Sequence, residues 1–431
     1  MTFSFGLLVV LLLAIAAIGV PIAFAKITAG LIYLFVTQQD IGLAAGAILE
    51  EFMQSFLILA VPLFIFAATV MNAGGISDRI LQFCLMLVGR LRGGLAHVNV
   101  VASLIFAGMS GSAIADAAGV GRIIIEMMRK NDRYSPGFAA AITAASSTIG
   151  PIIPPSIPMV LYALVSGQSV GYLFLGGVIP GILMALMLMG AIFVIAHRRK
   201  FPVEDPVPLR DMPKLTARAF PALLLPVILL AAIYGGATTP TEAAAVAAAY
   251  ALLLAMGFYR TLSLRQLYES IIDTSKSSAT VALIVGAAFL FNYAVASERV
   301  PQALAVWFSS LDISPLMFLI IVNIVFLAMG CLFDVPTILL IVVPLLLPTA
   351  TALDIDLIHF GVVAVVNTMI GLITPPYGVL LFVINGITGI RLHDIIREIW
   401  VFIVMLIGAL FIMVLFPDLV LWLPRQFGYN G

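Results

Sequence analysis

Polar residues and single acids collect at two places in an otherwise apolar sequence, and their types suit the binding of a cation. The first group is Ser110, Gly111, Ser112, Asp116, Ser146, Ser147, Thr148, Gly150 and Ser156. Pro154 and Pro155 lie within this group and lack backbone N–H groups, so nearby carbonyl groups lose their hydrogen-bond donors. Free carbonyl and hydroxyl oxygens are ligands for Na⁺, and the N-termini of opposing half-helices attract anions.

The second group lies near the end of the chain and has a similar make-up, with fewer hydroxyls and one amide. It consists of Gly330, Asp334, Asn367, Thr368, Gly371 and Thr374, followed by Pro375 and Pro376. We therefore predict two Na⁺ sites, one in each group. The candidate substrate contacts are Ser112, Pro154, Pro155, Ser156, Thr374, Pro375 and Pro376.

The same residue types also have structural uses. Ser and Thr hydroxyls bond back to their own helices, and glycines allow helices to pack closely. Asp116 and Asp334 are acids in apolar surroundings, which indicates a function. Either could instead be the N-cap of a returning helix, accepting hydrogen bonds from backbone N–H groups. The sequence leaves ligation and capping open.

The composition of the chain indicates an integral membrane protein. Of its 431 residues, 63% are hydrophobic and 10% are charged, and the mean hydropathy is +1.19. A soluble protein has about 25% charged residues, so a soluble enzyme, a disordered chain and a nucleic-acid binder are excluded. The apolar runs are long and unbroken rather than alternating, which argues against a β-barrel.

Ten membrane spans and two re-entrant hairpins are predicted from the apolar segments, since a spanning helix needs about 20 apolar residues. Eight uninterrupted spans lie at about 4–19, 21–37, 53–73, 170–196, 219–237, 240–258, 277–297 and 399–423. Two further spans, at about 136–167 and 357–388, are broken at the Pro-Pro pairs. The pairs of shorter segments at about 95–130 and 314–350 contain glycine-rich turns, which are typical of hairpins.

The basic residues test this arrangement, because Lys and Arg accumulate in cytoplasmic loops. With the hairpins returning to their side of entry, every Lys and Arg except Arg299 and Arg425 falls on one side. That side is predicted to be cytoplasmic, which places both termini on the opposite side. The formal net charge of the chain is zero, but its basic residues are distributed very unequally between the two predicted sides of the membrane.

An inverted repeat follows from the order of the elements. Each half reads as three spans, a hairpin, a broken helix and one more span. Since the first half has five crossings, the second half begins on the opposite side. Ile-Gly is followed after three residues by Pro-Pro at 149–155 and again at 370–376. Gly111 with Asp116 is paired with Gly330 and Asp334, and the spacing from hairpin glycine to broken-helix glycine is 39 residues in one half and 41 in the other.

The expected fold is therefore an all-α polytopic membrane protein with an inverted-topology repeat, two re-entrant hairpins and two broken helices. The first repeat is placed at 1–200 and the second at 218–431. A proline-rich cytoplasmic linker, 201–217, joins them. The segments Ser77–Arg92, Leu264–Ser275 and Val300–Leu311 are amphipathic and predict helices lying along the membrane surface.

Three segments carry a family resemblance: 108–121, which begins Gly-Met-Ser-Gly-Ser; 138–156, which contains Ile-Gly-Pro-Ile-Ile-Pro-Pro; and 371–378, Gly-Leu-Ile-Thr-Pro-Pro-Tyr-Gly. They closely resemble the large membrane subunit of TRAP transporters (tripartite ATP-independent periplasmic transporters), and the resemblance covers essentially the whole chain. It implies a sodium-driven importer of organic acid anions, such as a C4-dicarboxylate or a sialic-acid-like sugar acid, in the bacterial inner membrane.

The resemblance also implies partners and a mechanism. The partners are a periplasmic substrate-binding protein and a small four-helix membrane subunit. Because Met1 begins directly at the first span, we expect the small subunit to be a separate chain. The implied mechanism is an elevator, in which hairpins and broken helices move with Na⁺ and substrate against a scaffold. The sodium sites of such a family map onto the two groups above. Cys331 stands at the position of the second half that corresponds to Ser112 in the first, so the second site would use more backbone carbonyls.

Two other functions are weighed against this one. A self-sufficient sodium-coupled anion carrier would need no binding protein, and only the family-like motifs disfavour it. An intramembrane aspartyl protease would use Asp116 and Asp334, but their neighbours do not match the Gly-x-Gly-Asp signature of such enzymes. The sequence has no phosphate-binding Gly-Lys-Ser/Thr loop, so no ATP hydrolysis is expected.

Overall fold

The computed structural model describes residues 3–204, 208, 210–235, 238–311 and 313–431. All regular secondary structure in this part of the chain is helical, which confirms the all-α prediction. The first half contains α1 (Phe3–Ala17), α2 (Ile22–Val36), α3 (Gly42–Gln54), α4 (Ala60–Ala73), α5 (Ile76–Val88), α6 (Gly94–Ser110), α7 (Ala113–Asp116), α8 (Arg122–Arg129), α9 (Pro136–Ser147), α10 (Ile157–Ser166) and α11 (Val170–Arg198).

The second half has a comparable series of helices. They are α12 (Met212–Tyr234), α13 (Pro240–Leu252), α14 (Leu264–Ser297), α15 (Val300–Ser310), α16 (Pro315–Gly330), α17 (Val335–Thr337), α18 (Val343–Ala352), α19 (Leu357–Gly371), α20 (Val379–Thr388), α21 (Leu392–Leu415) and α22 (Asp418–Gln426). Short 3-10 turns lie at Phe56–Leu59 and Lys130–Asp132, and π-helical turns at Ala117–Gly121, Leu253–Phe258 and Ile338–Val342.

Seven helices among the described residues are long and apolar enough to cross a membrane. They are Phe56–Ala73, Val170–Arg198, Met212–Tyr234, Pro240–Phe258, Leu264–Ser297, Val335–Ala352 and Leu392–Leu415. The chain is thus a membrane protein with several apolar helices. Helices α1 and α2, predicted as full spans, have 15 residues each and extend for about 22 Å at the rise of an α-helix.

The amphipathic segments fold in two different ways. Helices α5 and α15 are separate and short, as expected from the sequence. The prediction of a separate surface helix at Leu264–Ser275 is wrong, because α14 runs without interruption for 34 residues. A capping box of Ser263 and Gln266 starts this helix, and no Pro or Gly occurs in it before Gly286. Helix α3 was not predicted.

The beginning of the proposed linker packs against the first half. The Phe201 ring lies 4.9 Å from Phe138 and 4.7 Å from Tyr134, between ring centroids. The Glu204 carboxylate forms an ion pair with Arg133 at 2.8 Å. Residues 205–207 and 209 of the linker, including Pro206, lie outside the described residues. The linker ends earlier than expected, since α12 begins at Met212.

The most completely buried helices are those that carry the polar groups. All residues of α9 from Gly137 to Ser147 are buried, as are those of α19 from Ile358 to Gly371. Helix α9 packs against α6 and α21, and α19 packs against α16 and α21. The two predicted sites therefore lie at the ends of the best-shielded helices of the chain.

Candidate functional site

Asp116 links the tip of the first hairpin to the break between α9 and α10. Its side chain is 2% exposed and accepts a hydrogen bond at Oδ1 from the Ser110 hydroxyl. Its Oδ2 is buried without a hydrogen-bond partner. A Cβ atom at Gly150 would collide with Oδ2, so the backbone at Gly150 lies directly against the carboxylate. The structure therefore brings together the two parts of the first group, which are far apart in sequence.

Other oxygens of the first group surround this contact. The Ser147 hydroxyl is buried and also lacks a partner. The Ser147 carbonyl lies 3.2 Å from the position that a Cβ at Gly150 would take. No group of three or more His, Cys, Asp or Glu that could hold a metal occurs among the described residues. Ligation of a cation here would therefore depend on one carboxylate with hydroxyl and carbonyl oxygens, which are hard donors suited to Na⁺.

The capping alternative for Asp116 is wrong. Ser112 is the N-cap of α7, and its hydroxyl accepts a hydrogen bond from the Ala115 N–H at 3.4 Å. Asp116 is the last residue of that short helix and contacts no orphan N–H group. Gly111, with φ of +60°, ends α6 in the left-handed region and lies against the Pro155 carbonyl. The sharp reversal at Gly111 is what turns Asp116 toward α9.

A polar network supports the first group from the side of α6. Ser146 donates to Asn99 Oδ1 at 3.1 Å and accepts from Ser103 at 3.0 Å. Asn99 in turn donates to Thr143 at 2.6 Å. Of these four residues only Ser146 is predicted from the sequence; Asn99, Ser103 and Thr143 are polar positions within apolar helices, which is the signal that could have identified them. The network indicates that Ser146 is a supporting residue, because its hydroxyl is already engaged.

Two hydroxyls of the first group have local structural roles. Thr148 bonds back to the Ala145 carbonyl at 2.6 Å. Ser156 is the N-cap of α10: it accepts from the Met159 N–H at 3.2 Å and also contacts the Pro151 carbonyl. Both side chains are fully buried. Their oxygens keep lone pairs that could face a cation. Unlike Asp116 Oδ2 and the Ser147 hydroxyl, however, both hydroxyls already have a hydrogen-bond partner.

The second group is also assembled, through a backbone contact. A Cβ at Gly330 would lie 2.9 Å from the Gly371 Cα, so the hairpin tip and the end of α19 touch backbone to backbone. Asn367 donates to the Asn323 carbonyl at 2.8 Å and to its Oδ1 at 2.7 Å. The Oδ1 of Asn367 is buried without a partner. Thr368 and Thr374 bond back to carbonyls of α19, at 2.9 and 2.8 Å.

Asp334 does not repeat the environment of Asp116. It occupies the N-cap position of α17 but makes no capping hydrogen bond, and its Oδ1 accepts from the Thr337 hydroxyl at 2.6 Å. In both hairpins a short helix is followed by a five-residue π-helical turn, which begins one residue after Asp116 and one residue after Thr337. The local structure therefore aligns Thr337 with Asp116, and the pairing of Asp334 with Asp116 drawn from sequence is wrong.

A buried lysine of the first half reaches this second hairpin. Lys26 of α2 is 0% exposed, and its Nζ donates to Thr337 Oγ1 at 3.2 Å. The same hydroxyl donates to Asp334, and the charge of Asp334 acts on Lys26. The sequence places Lys26 among the basic residues of the predicted cytoplasmic side, within the span at 21–37, and the structure places it inside α2. A fully buried ammonium group requires a partner, and 311 residues separate Lys26 from Thr337.

The candidate substrate contacts differ in accessibility. Pro154, Pro155 and Ser156 are buried, and the tip of the first hairpin covers Pro155. Ser112 is half-buried, Thr374 is 9% exposed and Pro376 is exposed. Helix α20 packs against the first hairpin, and α10 packs against the second. The four interrupted elements thus pack together as one block, and Ser112 and Pro376 are more exposed than the candidate contacts at 154–156.

A comparison with protein families identifies the family of the chain. A family model described as the DctM component of the tripartite ATP-independent periplasmic transporter matches residues 7–419. The chain belongs to this family. The resemblance drawn from 108–121, 138–156 and 371–378 is confirmed.

Relatives that align with most of the chain support this family assignment. The sialic acid TRAP transporter large permease protein SiaM of Vibrio cholerae is 41% identical over 414 residues, covering 96% of each chain. The C4-dicarboxylate TRAP transporter large permease protein DctM of Pseudomonas aeruginosa is 40% identical over 382 residues, covering 89% of each. These relatives are named permeases, and this DctM-family chain is a transporter permease rather than an enzyme.

A solved structure supports the fold at low sequence identity. The YdaH transporter of Alcanivorax borkumensis superposes with a TM-score of 0.63 at 14% identity. The match covers 91% of this chain and 89% of that one. The helical arrangement is therefore shared with a known membrane transporter.

Substitution of Gly330 by alanine tests the backbone contact in the second group. The added methyl would meet Gly371 Cα at 2.9 Å, with no flexible side chain able to yield. We expect the free energy of unfolding to fall by about 1–3 kcal/mol, as for other overpacked sites. Thermal unfolding in detergent measures this. The control is Gly386→Ala in α20, where a Cβ meets nothing within 4 Å. Equal melting temperatures for the two variants would contradict the contact.

Proposed function

We propose that this chain is the transport subunit of a sodium-coupled secondary importer of organic acid anions. The observation that carries the proposal is the buried Asp116 carboxylate, with Oδ2 unpartnered against the backbone break at Gly150. A buried carboxylate oxygen without a donor is unfavourable in apolar surroundings. A Na⁺ ion, carried as co-substrate and held also by Ser110, Ser147 and nearby carbonyls, would compensate it.

The second ion is proposed at the meeting point of the second hairpin and α19. The unpartnered Asn367 Oδ1 and the carbonyls near Gly330 and Gly371 supply neutral oxygens. Asp334 is a weaker candidate ligand than the sequence suggested, because Thr337 and Lys26 already engage that region. This site would therefore rely on carbonyl and amide oxygens, whereas the first has a full negative charge.

The substrate class follows from the relatives. The Vibrio cholerae relative is named for sialic acid and the Pseudomonas aeruginosa relative for C4-dicarboxylates. Both are carboxylate anions of small polar molecules. We propose the same class here, bound near Ser112 and the 374–377 loop. A periplasmic binding protein would deliver the anion, and a small membrane subunit on a separate chain would complete the transporter.

We further propose an elevator mechanism on an inverted repeat. The repeats would be 1–200 and 218–431, with both termini periplasmic and the basic loops cytoplasmic, in a bacterial inner membrane. In support, each half has a hairpin with a π-helical turn and a helix broken at a Pro-Pro pair. Two polar contacts, Lys26 to Thr337 and Asn292 to the Leu340 carbonyl, join α2 and α14 to the second hairpin. These contacts would break as the block moves.

Reconstitution tests the function. Proteoliposomes holding this chain and its small subunit would receive the binding protein loaded with labelled succinate or N-acetylneuraminate. We expect uptake with an inward Na⁺ gradient, and none when K⁺ replaces Na⁺ or when any component is omitted. Uptake that persists without Na⁺ would contradict sodium coupling. Uptake of free anion without the binding protein would instead favour a self-sufficient carrier.

A further inference from the structure

A basic cleft that contains no residue of the two polar groups lies at the end where α12 begins and α13 finishes. It has a volume of about 700 Å³ and opens between α5, α12 and the residues that follow α13. Its charged and polar lining includes Arg79, Lys214, Arg218, Asp78, Tyr259 and Thr261. Three cations thus face one acid within a single cleft. This balance favours an anionic ligand.

Hydrogen bonds hold the walls of the cleft together. The Tyr259 hydroxyl donates to the Arg218 carbonyl at 2.7 Å, which fastens the end of the α13 region to α12. The Thr261 hydroxyl donates to the Gly74 carbonyl at 2.5 Å, which fastens it to the turn before α5. Three segments far apart in sequence are joined in this way. The cleft is therefore formed by the fold and does not depend on a ligand for its shape.

The Arg79 guanidinium has a fixed position in this cleft. Its carbon Cζ lies 4.2 Å from the centre of the Tyr259 ring, within the range of a cation–π contact. Its Nη1 donates to the Gly75 carbonyl at 2.8 Å. A guanidinium has five N–H donors in a planar fork, so this bond orients the group and leaves donors that suit a phosphate.

Exposed apolar side chains occur in and next to the segments that carry the charged residues. Phe258 lines the cleft and is 63% exposed, while Phe220 and Leu253 on the adjoining helices are 54% and 62% exposed. Tyr250 donates to the Pro221 carbonyl at 2.7 Å, so the first turns of the apolar part of α12 run beside the end of α13. Charged groups at the ends of spanning helices, next to exposed apolar ones, face the headgroup layer of a bilayer.

We propose that this cleft binds the headgroup of an anionic phospholipid. Arg79, Lys214 and Arg218 contact its phosphate, and Phe220 and Leu253 contact its acyl chains. A soluble anion would use the basic residues but not the exposed apolar side chains. The bound lipid would brace α5 against α12 and the residues after α13, and it would contact none of the residues proposed to hold Na⁺. This assignment does not depend on sodium coupling or on the orientation of the chain in the membrane.

Native mass spectrometry of the complex of this chain with its small subunit tests the proposal. Phosphatidylglycerol, phosphatidylcholine and inorganic phosphate would be titrated separately in detergent. We expect phosphatidylglycerol to bind about tenfold more tightly than phosphatidylcholine, since each basic residue near a headgroup contributes to anionic selectivity. The double variant Lys214→Gln with Arg218→Gln should abolish this preference. It keeps Arg79, Tyr259 and the backbone carbonyl of Arg218, so the walls of the cleft stay joined.

The matched control is Arg265→Gln with Lys276→Gln, which removes the same charge from exposed positions on α14. An equal loss of phosphatidylglycerol binding in this control would show a general charge effect and overturn the proposal. Binding of inorganic phosphate as tight as that of phosphatidylglycerol would assign the cleft to a soluble anion. Lipid binding by the isolated chain that is absent from the complex would identify the cleft as a protein interface.

Discussion

Replacing Asp116 with asparagine is expected to abolish sodium-dependent stabilisation of the protein and sodium-driven uptake. Asparagine has nearly the same shape, so the contact with Gly150 and a hydrogen bond from Ser110 can persist. What disappears is the negative charge whose Oδ2 lies buried without a partner. Loss of that charge should weaken Na⁺ binding at least tenfold, equivalent to about 1.4 kcal/mol, so NaCl near the half-saturating concentration of the wild type should neither stabilise the variant nor drive its uptake.

Thermal unfolding distinguishes this role from a structural one. A ligand that binds only the folded state raises its stability in proportion to ln(1 + [L]/Kd). The wild-type protein should therefore melt at higher temperature in NaCl than in KCl, and Asp116→Asn should show no such difference. In KCl the variant should be at least as stable as wild type, because an uncompensated buried charge has been removed.

Glu126→Gln is the matched control for Asp116→Asn. Glu126 lies in the same hairpin, but its side chain is 63% exposed and pairs with Arg122 on the surface. An exposed pair of this kind contributes little to stability. The control should keep both the sodium-dependent shift in melting temperature and normal uptake. A full sodium shift in Asp116→Asn would show that its carboxylate is not a ligand.

The sequence predicted the parts of the fold that depend on local pattern. Apolar length located the long helices, and the glycine at position 111 marked the hairpin reversal, because a left-handed residue ends α6 there. The family resemblance, in which ion sites lie between a hairpin tip and a broken helix, implies that Asp116 and Gly150 lie close together. A change from polar to apolar residues near Ser275 predicts a helix end, but α14 continues through it because no helix breaker is present there.

The remaining errors concern contacts that only packing defines. The sequence comparison of the two halves pairs Asp334 with Asp116. In the structure, the π-helical turn begins directly after Asp116 in the first half and directly after Thr337 in the second, so Thr337 corresponds to Asp116. Lys26 is the fifth residue of α2, near the end that the sequence predicted to be cytoplasmic, but its side chain is buried. Its partner is on the other half of the chain, and nothing in the local sequence of either residue signals the other.

Replacing Lys26 with methionine is expected to destabilise the protein. Methionine is unbranched and of similar length, so the variant removes charge while largely retaining packing. Asp334 then loses the positive group that reaches it through Thr337. Lys26 reaches Asp334 only through the Thr337 hydroxyl, and Asp334 is partly exposed. The expected loss is therefore about 1.5–3 kcal/mol, as for a hydrogen bond to a charged group, and smaller than for a direct buried ion pair. Thermal unfolding in detergent measures the change.

A double-mutant cycle separates charge from packing. If the loss comes from the uncompensated carboxylate, adding Asp334→Asn to Lys26→Met should restore most of the stability, because no charge is left unpaired. Lys276→Met, an exposed lysine on α14, should be close to wild type. A double variant as unstable as Lys26→Met would show that the lysine acts through packing alone.

Transport by the same variants tests whether the contact belongs to one conformation of an elevator. Lys26 lies on a helix assigned to the scaffold, and Thr337 on a hairpin assigned to the moving block. If the contact forms at one end of the movement, the stabilised double variant should fold normally and yet transport at a changed rate, since the population of that end state has shifted. Equal rates for the double variant and wild type would place Lys26 and Thr337 in a part of the protein that moves together.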